Sequence, residues 1–181
     1  MRKCYKKHYK KMRKYDKIKN KKLRKGRYAM FKRKIYNKMQ EWKKDSNGKT
    51  ALLIEGARRI GKSTVVEEFA KNEYESYILI DFSRASKEIK ELFEDVSDLD
   101  FLFLQLQLQY KVDLHERNSV IIFDEVQLCP TARQAIKALV ADHRYDYIET
   151  GSLISINKNV KDILIPSEER RISMYPICLL Y

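Results

Sequence analysis

The octapeptide Gly56-Ala57-Arg58-Arg59-Ile60-Gly61-Lys62-Ser63 constrains the fold of this 181-residue chain more than any other stretch. It fits G-x-x-x-x-G-K-[S/T], a turn whose successive backbone N–H groups point inward at phosphate oxygens, and which works only between a buried strand and the N-terminus of a helix. Both flanks are present. Ala51 to Ile54 is a short apolar run fit for a central strand, and Ser63 to Lys71 carries Val65, Val66, Phe69 and Ala70 at helical spacing. Gly56 and Gly61 permit the close backbone approach that other residues deny. In this reading Lys62 brings a point charge to the β and γ phosphates and the Ser63 hydroxyl is placed for Mg²⁺. The candidate nucleotide-binding residues are Gly56, Ala57, Arg58, Arg59, Ile60, Gly61, Lys62, Ser63 and Thr64.

A second constellation follows at Ser119-Val120-Ile121-Ile122-Phe123-Asp124-Glu125, an apolar run of strand length that ends in two carboxylates. In a parallel sheet ligands sit at the carboxyl ends of strands, which brings Asp124 beside the phosphate loop. Asp124 is expected to share the Mg²⁺ with Ser63, and Glu125 to polarise the water that attacks the γ phosphate. A third run, Tyr145 to Glu149, leads into Thr150-Gly151-Ser152. Thr150 and Ser152 are sensor candidates that hydrogen-bond the attacking water or the γ phosphate, Thr150 ahead of Ser152. The alternative is that both begin the next turn or cap the next helix.

The charge of the chain, +13, is concentrated at one end. Residues 1 to 28 hold 15 Lys or Arg against the single acid Asp16, a net +14, which leaves 23 basic and 24 acidic residues, a net −1, to the rest. Such a polycation buries too little apolar surface to offset its ordering entropy and is expected to be disordered or weakly helical when free. Its function would be to neutralise nucleic-acid phosphates, with Tyr5, Tyr9 and Tyr15 stacking on bases. Alternatively it is upstream sequence preceding a start at Met30. No stretch reaches the 18 apolar residues of a bilayer span and the tail lacks the apolar core of a signal peptide, so the expectation is a cytoplasmic chain with no membrane partner. Cys4, Cys129 and Cys178 fit neither a disulfide frame nor zinc-ligand spacing and are read as reduced thiols.

Between the nucleotide motifs the chain alternates strand and helix. Tyr77 to Phe82 reads as a strand and Ser86 to Glu94 as a helix with Ile89, Leu92 and Phe93 on one face. Phe101 to Tyr110 alternates with period two, which by itself favours a strand; a cap at Ser97 or Asp98 and the helix-forming Leu and Gln favour a helix, which is our reading. A helix over Pro130 to Ala141 and a last strand over Arg170 to Tyr175 complete the pattern. The fold class is α/β: a P-loop NTPase-type three-layer fold, its mostly parallel sheet flanked by helices. The expected domains are a basic tail, 1–28, an N-terminal helix, 29–48, and a P-loop ATPase domain, 49–181.

The segments Gly-Ala-Arg-Arg-Ile-Gly-Lys-Ser-Thr (56 to 64), Phe-Asp-Glu-Val-Gln (123 to 127), Thr-Gly-Ser (150 to 152) and Met-Tyr-Pro (174 to 176) make the chain resemble the prokaryotic AAA-type ATPases that carry a further C-terminal domain. The resemblance implies ATP as substrate and Mg²⁺ as cofactor. It also implies a helix over Lys34 to Lys44, with Ile35, Met39 and Trp42 on one face, packing near the adenine. In that family the counterpart of Tyr175-Pro176 leads into a lid and the C-terminal domain, whereas here five residues follow, so the expectation is a domain incomplete at its C-terminus, with slow turnover. Arg170 and Arg171 are arginine-finger candidates, given in trans to a neighbour in a homo-oligomer; the alternative is surface arginines pairing with Glu168 or Glu169. The competing functions are a nucleotide-dependent, non-hydrolysing nucleic-acid-binding module and an inactive remnant.

Overall fold

The computed structural model describes residues 34–152 and 168–176. The chain divides into Met1–Arg33 and Lys34–Tyr181, and every described residue lies in the second unit. The expectations for the basic tail, Cys4, Cys178 and the last five residues therefore lie outside the described residues.

Five strands form one parallel sheet in the order β2-β3-β4-β1-β5: β1 (Ala51–Gly56), β2 (Ser76–Asp81), β3 (Ser119–Asp124), β4 (Asp146–Ser152) and β5 (Glu169–Met174). Among the described strands every pairing is parallel. The three central strands are buried almost throughout, as a sheet covered on both faces requires, and their side chains alternate between two cores. Leu52, Ile54, Val120, Ile122 and Ile148 face α1 (Lys34–Ser46) and α2 (Lys62–Glu73). Ala51, Leu53, Ile78, Ile80, Ile121, Phe123 and Tyr147 face α3 (Lys87–Glu91), α4 (Leu99–Tyr110) and α5 (Pro130–Asp142). This is the three-layer α/β arrangement that the alternation of motifs implies.

On the first face Ile35, Met39 and Trp42 of α1 are buried together, the spacing of one helical stripe, and Trp42 Nε1 donates to Thr50 Oγ1 at 3.2 Å. On the other face the Phe93 ring meets Phe82 and Phe123 edge-on, with centroids 5.8 and 5.3 Å apart. The helix α3 is shorter than its sequence pattern suggests. Ser86 caps it and its regular turns end at Glu91, yet Ile89 and Phe93 still reach the core.

The period-two segment is helical. Asp98 accepts from the amide of Phe101 at 2.9 Å and opens α4, which closes at Lys111 in the left-handed region. Leu102, Phe103 and Leu106 are buried, whereas Phe101, Leu104 and Leu108 are exposed. A Leu-Gln alternation lets a helix bury only one stripe and leaves the other leucines outside. Local capping and the helix propensity of Leu and Gln outweigh the two-residue period.

Candidate functional site

The loop between β1 and α2 is shaped by close backbone approach. A Cβ on Gly56 would stand 2.4 Å from the Met174 carbonyl oxygen of β5 and 2.8 Å from Ile60 Cδ1, so this position excludes any side chain. Gly61 takes φ 86° and begins α2, with Val65 N donating to its carbonyl at 3.2 Å; Arg59 is also left-handed, at φ 62°. The side chains of Ala57, Arg58 and Arg59 are exposed. Of the loop's side chains these three turn to solvent, whereas Ile60 packs against the core on the α1 and α2 face. Thr64, the second residue after the lysine, is exposed on the first turn of α2.

Lys62 is 5 % exposed, and its ammonium donates to the carbonyls of Gly56 at 3.1 Å and Ala57 at 2.8 Å. Burial pushes its pKa down, while the Glu125 and Asp124 carboxylates pull it back up. The ammonium is therefore held in reach of the loop by carbonyl oxygens and of the β3 end by charge.

The β3 end meets the loop directly. Ser63 Oγ donates to Asp124 Oδ1 at 2.7 Å across 61 residues of sequence. Thr150 Oγ1 donates to the same carboxylate oxygen and accepts from the Glu125 amide at 3.3 Å. The sheet order explains the convergence, because β4 lies between β3 and β1 and so puts Thr150 between the two motifs. The strand β4 runs through Thr150, Gly151 and Ser152, and pairing of Gly56 with Ser152 extends the ladder to the loop. Both hydroxyl residues are buried strand positions. Ser152 sits on the register of Gly56, at the loop.

Glu125 adopts φ 52° as the chain leaves β3, and its Oε2 accepts from Gln127 Nε2 at 2.5 Å. Gln127 is buried in the 3-10 turn Val126–Leu128, and its Oε1 has no hydrogen-bond partner among the described residues. The motif Phe-Asp-Glu-Val-Gln contains Gln127 without marking it as a partner of Glu125; two polar residues flanking an apolar one after a strand end are the available signal. Cys129 is buried and outside any disulfide, in line with its reading as a reduced thiol, and precedes Pro130 at the start of α5.

Arg170 and Arg171 lie elsewhere. They pair in register with Leu52 and Leu53, near the start of the sheet, while the loop begins at its opposite end. Arg171 Nε donates to Glu169 Oε1 at 2.7 Å, and Arg170 Nη1 to Asp45 Oδ2 at 3.4 Å. Glu169 also accepts from Arg133 Nη2 at 2.7 Å, and Arg133 Nη1 reaches Glu149 Oε2 at 3.1 Å. This buried network, which joins α5 to β4 and β5, had no signature in the sequence beyond an acid inside an apolar run.

Ser63 Oγ and the Asp124 carboxylate are hard oxygen donors in contact, a set suited to Mg²⁺, which takes one or two carboxylates and completes its shell with phosphate and water. Among the described residues no cluster of three or more His, Cys, Asp or Glu side chains forms a metal cage.

A parallel three-layer sheet with a G-x-x-x-x-G-K-S turn at the carboxyl end of β1 and an Asp-Glu pair at that of β3 defines a P-loop nucleoside triphosphatase fold. The family model for the AAA domain matches residues 48–179, and the chain belongs to that family. Its coarse function is accordingly nucleotide binding of the ATPase type. None of the curated proteins matches the sequence. Among solved structures, that of C. elegans PCH-2 aligns with 13% identity and a TM-score of 0.39, over 74% of this chain and 42% of that one. The present chain thus spans less than half of that structure's length.

Proposed function

We propose that this chain binds ATP with Mg²⁺ at residues 56–64 and hydrolyses it to ADP and phosphate. The observation that carries the reading is the shared Asp124 oxygen, which accepts hydrogen bonds from Ser63 of the loop and Thr150 of β4 and so gathers three separated motifs at one point. In this reading the loop amides and Lys62 hold the β and γ phosphates, and Ser63 and Asp124 hold the cation. Bound there, Mg²⁺ supplies charge neutralisation on the phosphate oxygens. Glu125 orients a water and accepts its proton as the oxygen bonds to the γ phosphorus and the bond to the ADP oxygen breaks. Thr150 fixes the Glu125 backbone, and Ser152 faces the same region from the last position of β4. The helix α1, packed on the face that α2 shares, supports the expected place near the adenine.

In the same reading the arginine finger comes from a second copy, since Arg170 and Arg171 stand toward the far end of the sheet from their own loop. Arg170 is the better candidate: its partner Asp45 is exposed and such pairs are worth at most about 1 kcal/mol, whereas Arg171 is tied to the buried Glu169. The net +14 of residues 1–28 supports nucleic acid as a further partner. Among the described residues no helix is long and apolar enough to cross a membrane.

Thermal unfolding with and without MgATP, beside Lys62→Ala, tests the reading. A ligand at 100 times its dissociation constant adds about 2.7 kcal/mol, or roughly 5 to 10 °C for a domain of this size. A shift of that order in the parent chain and none in the variant is expected. Equal shifts in both would remove the loop from the account.

A further inference from the structure

The end of the sheet opposite the phosphate loop carries a cavity of about 510 Å³ lined by Lys43, Asn47, Lys49, Arg117, His143 and Asp146. Three turns build it, each just before a strand: Asn47 to Lys49 before β1, Arg117 before β3 and His143 before β4. These three strands are neighbours in the sheet, so residues as far apart in sequence as Lys43 and Asp146 meet at one edge. The length of β1, Ala51 to Gly56, separates this edge from the loop by roughly 17 Å at about 3.3 Å per residue. A nucleotide phosphate held at the loop does not reach it.

The charge of the cavity is unbalanced. Lys43, Lys49 and Arg117 face one acid, Asp146, and both oxygens of that acid are engaged, by Arg117 Nη2 at 3.1 Å and by the Tyr74 hydroxyl at 2.7 Å. Lys43 lies 3.5 Å over the Tyr74 ring and donates to the Glu73 carbonyl; burial lowers its pKa, against the opposing pull of the Asp146 and Glu73 carboxylates. The side chains of Lys49, Asn47 and His143 have no hydrogen-bond partner among the described residues. Arg117 is fixed in place. Its Nη1 donates to the His143 carbonyl at 3.2 Å, and the guanidinium lies so close over Gly48 that a Cβ there would stand 2.2 Å from Nη1.

A preset guanidinium, two ammonium groups, an amide and an imidazole around one opening make a donor set without an internal acceptor to match it. Arg and Lys together with a net charge near +2 complement the −1.5 to −2 of a phosphate monoester. The volume admits a phosphate with an attached group. We propose that this cavity is a second phosphate-binding site, distinct from residues 56–64, with Lys49, Asn47 and His143 as its receiving side chains and Arg117 as its fixed wall. The phosphate comes from a small phosphate compound or from the backbone of a nucleic acid.

The chain has three histidines, His8, His115 and His143, so the ring signals in a proton–carbon NMR spectrum are few, and His143→Gln assigns the one at the cavity. Inorganic pyrophosphate is titrated into the full chain at constant pH, with potassium chloride keeping ionic strength fixed. The His143 signal is expected to move saturably, Lys49→Glu to raise the half-saturation concentration at least tenfold, and Lys62→Ala to leave it unchanged. Lys49 is exposed, so its substitution tests charge without threatening the fold. A His143 signal that follows ionic strength alone, an unchanged midpoint in Lys49→Glu, or a response lost in Lys62→Ala overturns the proposal. A 5′-phosphorylated thymidine pentanucleotide then decides the source, with His8 reporting binding at the basic tail separately. Displacement of pyrophosphate at His143 assigns the site to nucleic acid, and failure to displace it assigns the site to small phosphates; both outcomes support a phosphate site.

Discussion

Ser63 Oγ donates a hydrogen bond to Asp124 Oδ1 at 2.7 Å, and the same oxygen accepts a second from Thr150 Oγ1. One carboxylate oxygen with two hydroxyl donors is held in a fixed direction, the preorganisation that cation binding requires. Asp124→Asn keeps the shape and removes the charge. The expected outcome is that MgATP and ATP with EDTA then raise the unfolding temperature equally, whereas in the parent chain the magnesium complex stabilises more. A magnesium-dependent difference retained in Asp124→Asn would take the cation away from this residue.

Glu125 and its partner Gln127 separate binding from chemistry. Glu125→Gln should retain the MgATP-induced thermal shift and lower phosphate release by 10² or more, the usual contribution of a positioned general base. The Gln127 amide holds Glu125 Oε2 at 2.5 Å, so Gln127→Ala should lower kcat severalfold with KM little changed. Steady-state phosphate release across ATP concentrations reads both. A rise in KM alone would place Gln127 in nucleotide binding.

Much of this site is legible in the sequence because its parts are local. The loop needs its glycines, lysine and serine in one octapeptide, and the flanking strand and helix declare themselves by apolar run and helical spacing. The end of β4 is less legible, since Thr and Ser serve equally as strand residues and as caps, and the choice is made by pairing with Gly56, nearly a hundred residues away. The Arg133 network and the cavity at the base are invisible for the same reason. Arg133 meets Glu149 and Glu169 across 16 and 36 residues, and the three turns of the cavity meet only once β4 has inserted between β1 and β3. The helix α4 is the converse case, in which period two is present but capping and propensity decide.

Gly56 couples the loop to the edge strand. Its missing side chain lets the Met174 carbonyl lie where a Cβ would stand 2.4 Å away, and a backbone atom has little room to retreat. Gly56→Ala is expected to cost about 1–3 kcal/mol through overpacking. At 2–4 °C per kcal/mol the unfolding temperature falls by several degrees, and the MgATP shift shrinks with it. An alanine variant with unchanged melting would mean that β5 moves aside freely.

Glu149 makes the stability of the domain depend on pH. Burial pushes its carboxyl up to about 8, against the opposing pull of Arg133; the unfolded chain titrates it near 4.5. Between those values the folded state holds the extra proton, so raising the pH favours the unfolded chain by up to about 1.4 kcal/mol per unit, and the loss is complete above the folded value. Glu149→Gln keeps an oxygen for Arg133 Nη1 and removes the titration. Thermal melts at pH 6, 7.5 and 9 should therefore show the parent chain losing stability with pH relative to the glutamine variant, which becomes the more stable of the two at pH 9. Arg133→Ala acts in the opposite sense, because it strips Glu149 and Glu169 of their shared cation inside the core, and it is expected to cost about 3–5 kcal/mol. Parallel pH profiles for the parent chain and Glu149→Gln would mean that Glu149 keeps its charge beside Arg133 throughout this range.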